Sequence, residues 1–286
     1  MNIEKEKLEK KAYKIRRLCI EMITYGGWGH IGGSLSLADI FSCLYFRELK
    51  IDPDNPEWDK RDRLILSKAH GSPVLYSSLA LKGVFDISKL YTYCNMEGLQ
   101  GHTELNKRLG IEAPGGSLGQ GLSFAVGKAF ALRYRENPFN RVYCILGDGE
   151  CNEGQVWEAA MAASHYKLDN LITIIDYNKV MAKGFVKDLM EIEPLKDKWQ
   201  AFGWKVLEMD GHNITDICQT LYKARNIVIN GKPVVIIAHT VKGKGLERAE
   251  FNYKWHTHAP EPELADKMLR ELAQYYNMSE KGYSKI

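Results

Sequence analysis

The sequence predicts a doubly wound α/β fold, in which helices flank a mostly parallel sheet. Short apolar runs recur along the chain, with the length and continuous hydrophobicity of buried parallel strands. Segments with helical periodicity alternate with these runs. Since no low-complexity stretch, repeat or flexible linker interrupts the alternation, we expect a single domain over residues 1–286, with a looser C-terminal segment at 241–286.

The first predicted element is an amphipathic helix over residues 4–25, whose apolar stripe includes Leu8, Ile15 and Met22. A glycine-rich break follows at 26–33, and Ser36 is placed to cap a second helix over 36–49. The predicted strands are 63–66, 142–146, 171–176, 205–208 and 234–239. The other predicted helices are 73–82, 120–135, 155–166, 194–202 and 213–229.

The composition is typical of a globular protein, with 45% hydrophobic and 26% charged residues. A net charge of +3 over 286 residues gives no sign of a nucleic-acid-binding face. The densest basic cluster alternates with glutamates at helical spacing, which predicts a solvated helix face. This cluster consists of Lys10, Lys11, Lys14, Arg16 and Arg17.

The cysteines and the N-terminus indicate the cellular compartment of the protein. The six cysteines include no CxxC pair, and several lie among apolar residues, so we expect free, mostly buried thiols in a reducing compartment. The N-terminus is highly charged and lacks the apolar core of a secretory signal, and no segment is apolar enough to span a membrane. The expected location is therefore the cytoplasm, with no membrane partner.

The strongest local signal is a polar pair after two successive strands. Gly147-Asp148-Gly149 follows the predicted strand 142–146, and Asn178 follows the predicted strand 171–176, thirty positions after Asp148. One strand–helix–strand crossover separates the pair, so both side chains leave the same edge of a parallel sheet. An aspartate, an asparagine carbonyl and one backbone carbonyl form a hard oxygen set that suits Mg²⁺, while Gly149 lets a phosphate approach the backbone.

A tight turn with an Asx cap is the plainer interpretation of Gly147-Asp148-Gly149 alone, but it does not account for Asn178. A GxGxxG motif follows none of the predicted strands, which argues against a nicotinamide-binding domain.

The GDG…N pattern resembles the motif of enzymes that bind thiamine diphosphate, and the surrounding sequence resembles the N-terminal, diphosphate-binding domain of transketolases. The resemblance runs over nearly the whole chain. It is carried by GHIGGS at 29–34, LSKAHG at 66–71, GHTE at 101–104, GGSLGQG at 115–121, KGKG at 242–245 and Trp255-His256.

The resemblance implies a thiamine-diphosphate-binding fold and a role for each matching residue. Asp148, Asn178 and the carbonyl of Val180 would bind Mg²⁺, and Asn178 would also adjoin the cofactor. The other cofactor-binding residues would be His70, Gly116, Ser117, Leu118, Gly149, Lys242 and His256. The catalytic residues would be His30, His102 and His256, which line the sugar channel or reach the substrate, and Glu153, in a carboxylate network at the subunit interface.

Histidines suit the chemistry that this family performs. Moving protons on and off the hydroxyl groups of a sugar near pH 7 requires several groups that donate and accept protons, and the imidazole is the best-matched side chain. A single histidine in a loop is most often a surface residue. Four histidines in separately matching motifs, His30, His70, His102 and His256, favour a functional role.

In the family, a second domain supplies the glutamate that activates the cofactor, and this chain resembles only the first domain. The implied assembly is a transketolase split into two subunits, an α2β2 heterotetramer, which transfers a two-carbon ketol unit between sugar phosphates. The alternatives are a subunit of a 2-oxoacid dehydrogenase, a fragment related to deoxyxylulose-phosphate synthase, or a non-catalytic subunit. Lys183 and Thr257 depart from the usual family pattern, which leaves room for a modified sugar.

Overall fold

The structure is a computed structural model that describes residues 2–135, 140–226 and 231–278. Its centre is a five-stranded parallel sheet with the strand order β1-β2-β3-β5-β4. The strands are β1 (Arg63–Leu66), β2 (Val142–Gly147), β3 (Leu171–Tyr177), β4 (Lys205–Asp210) and β5 (Val234–His239). All five lie where apolar runs predicted them.

Ten α-helices surround the sheet in the described part of the chain. They are α1 (Asn2–Gly26), α2 (Ile31–Leu35), α3 (Ala38–Cys43), α4 (Ser72–Lys82), α5 (Gln120–Tyr134), α6 (Gly154–His165), α7 (Val186–Leu189), α8 (Leu195–Ala201), α9 (Ile214–Asn226) and α10 (Pro262–Tyr275). The helix predicted over 213–229 agrees with α9, except that residues 227–230 lie outside the described residues.

Alternate residues of each strand face two separate apolar cores, because successive side chains of a strand point to opposite faces. Tyr143 and Ile145 of β2 belong to the core that packs against α1, α3, α4, α9 and α10. Cys144 and Leu146 belong to the core that packs against α5, α6 and α8. Helices therefore cover both faces of the sheet, and the predicted doubly wound fold is confirmed.

The helix predicted over residues 36–49 is wrong in its bounds. Helical structure begins earlier, at Ile31, and divides into α2, α3 and a π-helical turn at Leu44–Glu48. The glycines in α2 are tolerated because the packing needs their small size: a Cβ on Gly32 would lie 3.0 Å from the Trp255 carbonyl oxygen. Ser36 follows α2 as its C-cap instead of capping a helix start.

The prediction that Arg16 lies on a solvated face is also wrong. Arg16 is fully buried, and its guanidinium group forms a two-point ion pair with Asp39 of α3, with N–O distances of 3.0 and 2.6 Å. Its Nε also donates to the Lys244 carbonyl at 3.1 Å, and another guanidinium nitrogen donates to Tyr276. One residue of α1 therefore binds both α3 and the chain after β5.

The chain after β5 packs against the apolar face of α1 through α10. Ala265, Met268, Leu269, Leu272 and Ala273 of α10 are buried. Lys242, at the start of this segment, is also buried. Residues 279–286 lie outside the described residues. No helix among the described residues is both long and apolar enough to cross a membrane.

We predict that Leu272→Ala lowers the free energy of unfolding by about 2–5 kcal/mol, because it leaves a cavity between α10 and α1. Chemical denaturation measures this change. Leu105→Ala, at a side chain that is 53% exposed, is the control and should change the free energy by less than about 0.5 kcal/mol. A similarly small effect for Leu272→Ala would instead indicate that the C-terminal segment is held loosely.

Candidate functional site

The polar pair predicted from the sequence meets at the carboxyl edge of the sheet. Gly147 of β2 is in register with Asp176 of β3, so the residues that follow each strand leave the sheet side by side. The Asp148 carboxylate accepts a hydrogen bond from the Gly149 N–H at 2.7 Å and another from the Lys179 N–H. It thus rests against the turn formed by Asn178, Lys179 and Val180.

All three predicted metal ligands are buried at this edge. Asp148, Asn178 and Val180 are each no more than 4% exposed. Burial and the nearby charge of Asp176 raise the pKa of Asp148 to about 6, so the carboxylate lies where a cation would stabilise its charged form. One carboxylate, one amide oxygen and one backbone carbonyl therefore lie together, and this donor set fits Mg²⁺.

Groups of three or more His, Cys, Asp or Glu side chains with the geometry of a metal site are absent from residues 2–135, 140–226 and 231–278. This result is consistent with the predicted donor set, since only one of its three ligands is such a side chain. Most of the ligands of a Mg²⁺ ion bound here would come from an amide, a main-chain carbonyl, phosphate and water.

Asp176 determines how the Asn178 amide is turned. Its carboxylate accepts a hydrogen bond from the Asn178 Nδ2 group at 3.0 Å. Because an ionised carboxylate only accepts hydrogen bonds, the NH₂ end of the amide must face Asp176. The Asn178 Oδ1 atom is then free to accept from the Val180 N–H at 3.1 Å and to present its other lone pair to a cation.

Asp176 also joins four segments of the chain. Its carboxylate contacts the Lys68 ammonium group at 2.5 Å and the Ser36 hydroxyl at 2.7 Å, and it accepts from the Thr240 hydroxyl. Burial by itself raises the pKa of this carboxyl group, but the Lys68 charge and the hydrogen bonds from Lys68, Thr240 and Ser36 together outweigh burial and hold the pKa below its usual value. The four segments that directly follow α2, β1, β3 and β5 therefore all bind one buried anion.

The four histidines predicted from separate motifs form one cluster with His30 at its centre. The His30 ring centroid lies 5.2 Å from those of His70 and His256 and 5.6 Å from that of His102. His30 precedes α2, His70 follows β1 in a 3₁₀ turn, His102 lies in a loop, and His256 follows a 3₁₀ turn at Tyr253–Trp255. Four parts of the chain thus supply one side-chain cluster.

Burial disfavours the protonated, charged form of these imidazoles. It lowers the pKa of His30 to about 4, with His102 as the next cause, and that of His256 to about 3, with Lys242 as the next cause. Burial also lowers the pKa values of His70 and His102. Near pH 7 the cluster is therefore neutral, and each ring can both donate and accept a hydrogen bond.

The cluster offers polar atoms to a ligand. The His30 Nδ1 atom is buried and has no hydrogen-bond partner among the described residues. A cavity of about 370 Å³ opens beside His102 and is lined also by Trp28, Glu104 and Gly115. His30 does not line this cavity, but its ring packs against Trp28 and His102, which do. A buried nitrogen without a partner is the kind of group that a polar ligand satisfies.

Lys242 connects the histidines to the predicted metal ligands. Its ammonium group contacts the Val180 carbonyl and the His256 Nδ1 atom, both at 2.8 Å. Burial, followed by repulsion from Lys68, lowers the pKa of Lys242 to about 7. The Val180 carbonyl has a second lone pair, so its contact with Lys242 leaves one for a cation.

The loop with Gly116, Ser117 and Leu118 lies before α5. Gly116 and Ser117 are exposed and Leu118 is half-buried. Gly116 has a φ of +145°, and a Cβ placed there would meet nothing within 4 Å, so its surface is open to a ligand. Gly149 is different, since a Cβ there would lie 2.8 Å from the Met181 side chain.

Glu153 is exposed at the N-cap of α6 and makes no capping hydrogen bond with its side chain. A Cβ on Gly119 would lie 2.8 Å from the Glu153 Cβ, so Glu153 borders the same loop. Lys183 and Thr257, the two departures from the family pattern, are also exposed.

Residues 8–280 match the family model described as "Transketolase, thiamine diphosphate binding domain". The chain belongs to the transketolase family. The resemblance inferred from the sequence motifs is therefore confirmed, as is the assignment to a thiamine-diphosphate-binding transketolase subunit.

Two similar proteins are themselves subunits of transketolases. The chain is 46% identical over 267 residues to the 6-deoxy-6-sulfo-D-fructose transketolase subunit of Clostridium sp. strain MSTE9, covering 93% of this chain and 96% of the relative. It is 39% identical over 278 residues to one of the subunits of the apulose-4-phosphate transketolase of Phocaeicola vulgatus, covering 96% and 97%. This transketolase-family chain has the length of such subunits.

Solved transketolases share the fold but are longer. The crystal structure of transketolase from Campylobacter jejuni superposes with a TM-score of 0.87 at 33% identity, covering 97% of this chain and 44% of the other. The chain likewise spans 42% of the transketolase of Homo sapiens, at 34% identity. It corresponds to less than half of a single-chain transketolase.

Three buried residues of the site were not predicted from the sequence: Lys68, Glu150 and Asp176. Lys68 lies inside one of the recognised motifs, and Glu150 directly follows the GDG triplet. Asp176 could have been found from the sequence, because it is an acidic residue near the end of an otherwise apolar strand. Such a residue is buried only when it is paired.

We predict that acid weakens the fold through the histidine cluster. The folded chain takes up a proton at His30 less readily than the unfolded chain does, because the folded pKa of about 4 lies below the usual 6.5. The stability that neutral His30 contributes is thus complete above pH 6.5 and is lost as the pH falls towards 4. Urea denaturation of wild type and His30→Asn at pH 7.5 and pH 5 measures this loss.

The wild-type chain should lose roughly 1–3 kcal/mol more than the variant does between these two pH values. Identical losses in the two proteins would contradict the assignment of a depressed pKa to His30.

Proposed function

We propose that this chain is the thiamine-diphosphate-binding subunit of a two-chain transketolase that moves a two-carbon ketol unit from a ketose to an aldose. The observation that carries the proposal is the contact of the neutral histidine cluster with the predicted metal ligands, through Lys242. When bound, thiamine diphosphate supplies the carbanion character needed to break the carbon–carbon bond beside the ketose carbonyl.

Asp148, Asn178 and the Val180 carbonyl would hold Mg²⁺, and the Gly149 backbone and His70 would contact the diphosphate group. Gly116, Ser117 and Leu118 would lie along the cofactor, Leu118 against its thiazolium ring. Three features support this arrangement: the buried Asp148 carboxylate, the amide orientation that Asp176 imposes on Asn178, and the open surface of Gly116.

His30, His102 and His256 would bind the sugar hydroxyl groups and move protons among them. Their neutral state supports this role, since a neutral imidazole can give a proton at one nitrogen and take one at the other. Lys242 lies against the Nδ1 atom of His256, and an N–H donated to that atom keeps the proton of the neutral ring on Nε2.

The ketose would carry an anionic group remote from its carbonyl. The two subunits similar to this chain are named for a sulfonated fructose and a phosphorylated apulose. Lys183, beside the predicted metal turn, and Thr257, beside His256, are exposed and depart from the usual family pattern, which leaves room for a modified sugar. We propose sulfonated or phosphorylated ketoses as the first substrates to assay.

The second chain would resemble the remainder of transketolase, and the assembly would be an α2β2 heterotetramer. The site is open at the sheet edge, and the exposed Glu153 would lie near the contact between subunits. A partner would shield the site from water and supply the acidic residue that activates the cofactor. We place the complex in the cytoplasm, on the basis of six cysteines that are all free thiols.

The test of the proposal is ketol transfer by the purified chain with thiamine diphosphate and Mg²⁺, with and without the candidate second subunit. We expect turnover only when both chains are present. Robust turnover by this chain alone would refute the two-chain arrangement. Decarboxylation of pyruvate or another 2-oxoacid, without ketol transfer, would favour another class of thiamine-diphosphate enzyme.

We predict that Asp148→Ala abolishes Mg²⁺-dependent binding of thiamine diphosphate, because the metal loses its only anionic protein ligand. Calorimetry on the two-chain complex at saturating Mg²⁺ measures the affinity. Glu158→Ala, at an exposed position of α6, is the control and should bind the cofactor normally. Unchanged affinity in Asp148→Ala would rule out the metal assignment.

We predict that His30→Ala and His256→Ala each lower turnover by about 10²–10⁴-fold, the usual scale for a positioned proton-transfer group. His165→Ala, at the exposed end of α6, should retain wild-type turnover. Steady-state kinetics with the best ketose measures the effects. Full activity of both cluster variants would show that the histidines do not act on the substrate.

A further inference from the structure

Glu150 is a buried carboxylate that takes no part in the roles above. It is 2% exposed and accepts three hydrogen bonds. Its Oε1 atom accepts from the Ser67 hydroxyl at 2.5 Å and from the Gly119 N–H at 2.9 Å, and its Oε2 atom accepts from the Gly147 N–H at 2.9 Å. One side chain thus connects the end of β1, the end of β2 and the loop before α5.

The loop before α5 is fixed at both ends and open between them. At its start, the Gly115 N–H donates to the Thr103 carbonyl at 2.8 Å. At its end, the Gly119 N–H donates to Glu150, and Gly119 has a φ of +87°. Gly116 and Ser117, between these two anchors, are exposed. The position of the open part therefore depends on the Glu150 contact.

The charge of Glu150 is suited to this task. An ionised carboxylate has only acceptor sites, so it can receive both backbone N–H groups and the hydroxyl at once. A glutamine has the same shape but carries a donor in place of one oxygen. Its NH₂ group would face the N–H of either Gly119 or Gly147, and the loop and the turn could not both be held.

We propose that Glu150 is a positioning residue that fixes the Gly116–Leu118 loop against the Gly147–Gly149 turn, and thereby sets the affinity for thiamine diphosphate without touching the cofactor. This inference rests on the proposed function, in which the turn contacts the diphosphate group and the loop lies along the rest of the same molecule. A shift of either element relative to the other lowers the affinity even when every contacting residue is intact.

The test compares two isosteric substitutions of buried carboxylates in the two-chain complex. Glu150→Gln should weaken binding of thiamine diphosphate by about 10- to 100-fold at saturating Mg²⁺, because a buried donor is left facing a donor. Asp62→Asn is the matched control. Asp62 is also buried and also accepts from two backbone N–H groups, those of Lys50 and Arg141, but it lies at the opposite edge of the sheet, before β1.

Thermal unfolding without cofactor shows how much each substitution weakens the fold. We expect Asp62→Asn to lower the unfolding temperature at least as much as Glu150→Gln does, yet to keep the cofactor affinity within about threefold of wild type. Wild-type affinity in Glu150→Gln, or equal losses of affinity in the two variants, would overturn the positioning role. Failure of the wild-type complex to bind the cofactor would instead overturn the proposed function itself.

Hydrogen exchange gives a second readout that needs no cofactor. In Glu150→Gln, the peptides that contain Gly119 or Gly147 should exchange faster than in wild type, while those of β4 should not change. If Glu150→Gln does not fold, Glu150→Asp is measured, since its carboxylate keeps the charge but is one methylene shorter. Unchanged exchange at both glycines would overturn the proposal.

Discussion

The site depends on one buried anion, the carboxylate of Asp176. An unpaired charge in this position would be prohibitively unstable, so the fold must bring donors to it. Lys68, Ser36, Asn178 and Thr240 provide them from four different segments, each near the carboxyl edge of the sheet. The need to pair Asp176 therefore positions the segments that carry His30 and His70, and it turns the Asn178 amide oxygen outward.

The second constraint is the burial of His30 and Lys242 within the chain. Burial keeps the imidazoles of His30 and His256 neutral and lowers the pKa of Lys242 towards 7. The same burial raises the pKa of Asp148. Burial at this edge thus favours neutral groups over charged ones, and it leaves one carboxylate that a divalent cation would stabilise. Burial is therefore the common cause of the neutral histidines, which suit proton transfer, and of the raised Asp148 pKa, which suits metal binding.

The strands and most of the helices that flank them could be predicted from the sequence, because their hydrophobic patterns are strong. The motif residues could be placed at one edge of the sheet, because the carboxyl ends of parallel strands lie at the same edge. The break of the second helix at Ser36 could not, since it depends on contacts of Gly32 and Ser36 with distant segments. Arg16 was misplaced for the same reason: its partner Asp39 lies on another helix. The pairing of buried charges depends on tertiary contacts, which the hydrophobic periodicity of a single helix cannot predict.

The most direct test of the central claim is a crystal structure of the two-chain complex with thiamine diphosphate and Mn²⁺ in place of Mg²⁺. The metal would be located by its anomalous scattering. We predict one peak per copy of this chain, within about 2.0–2.3 Å of Asp148, Asn178 and the Val180 carbonyl, with the Asn178 amide still bonded to Asp176. A metal bound elsewhere, or an Asn178 amide turned away from Asp176, would contradict the account.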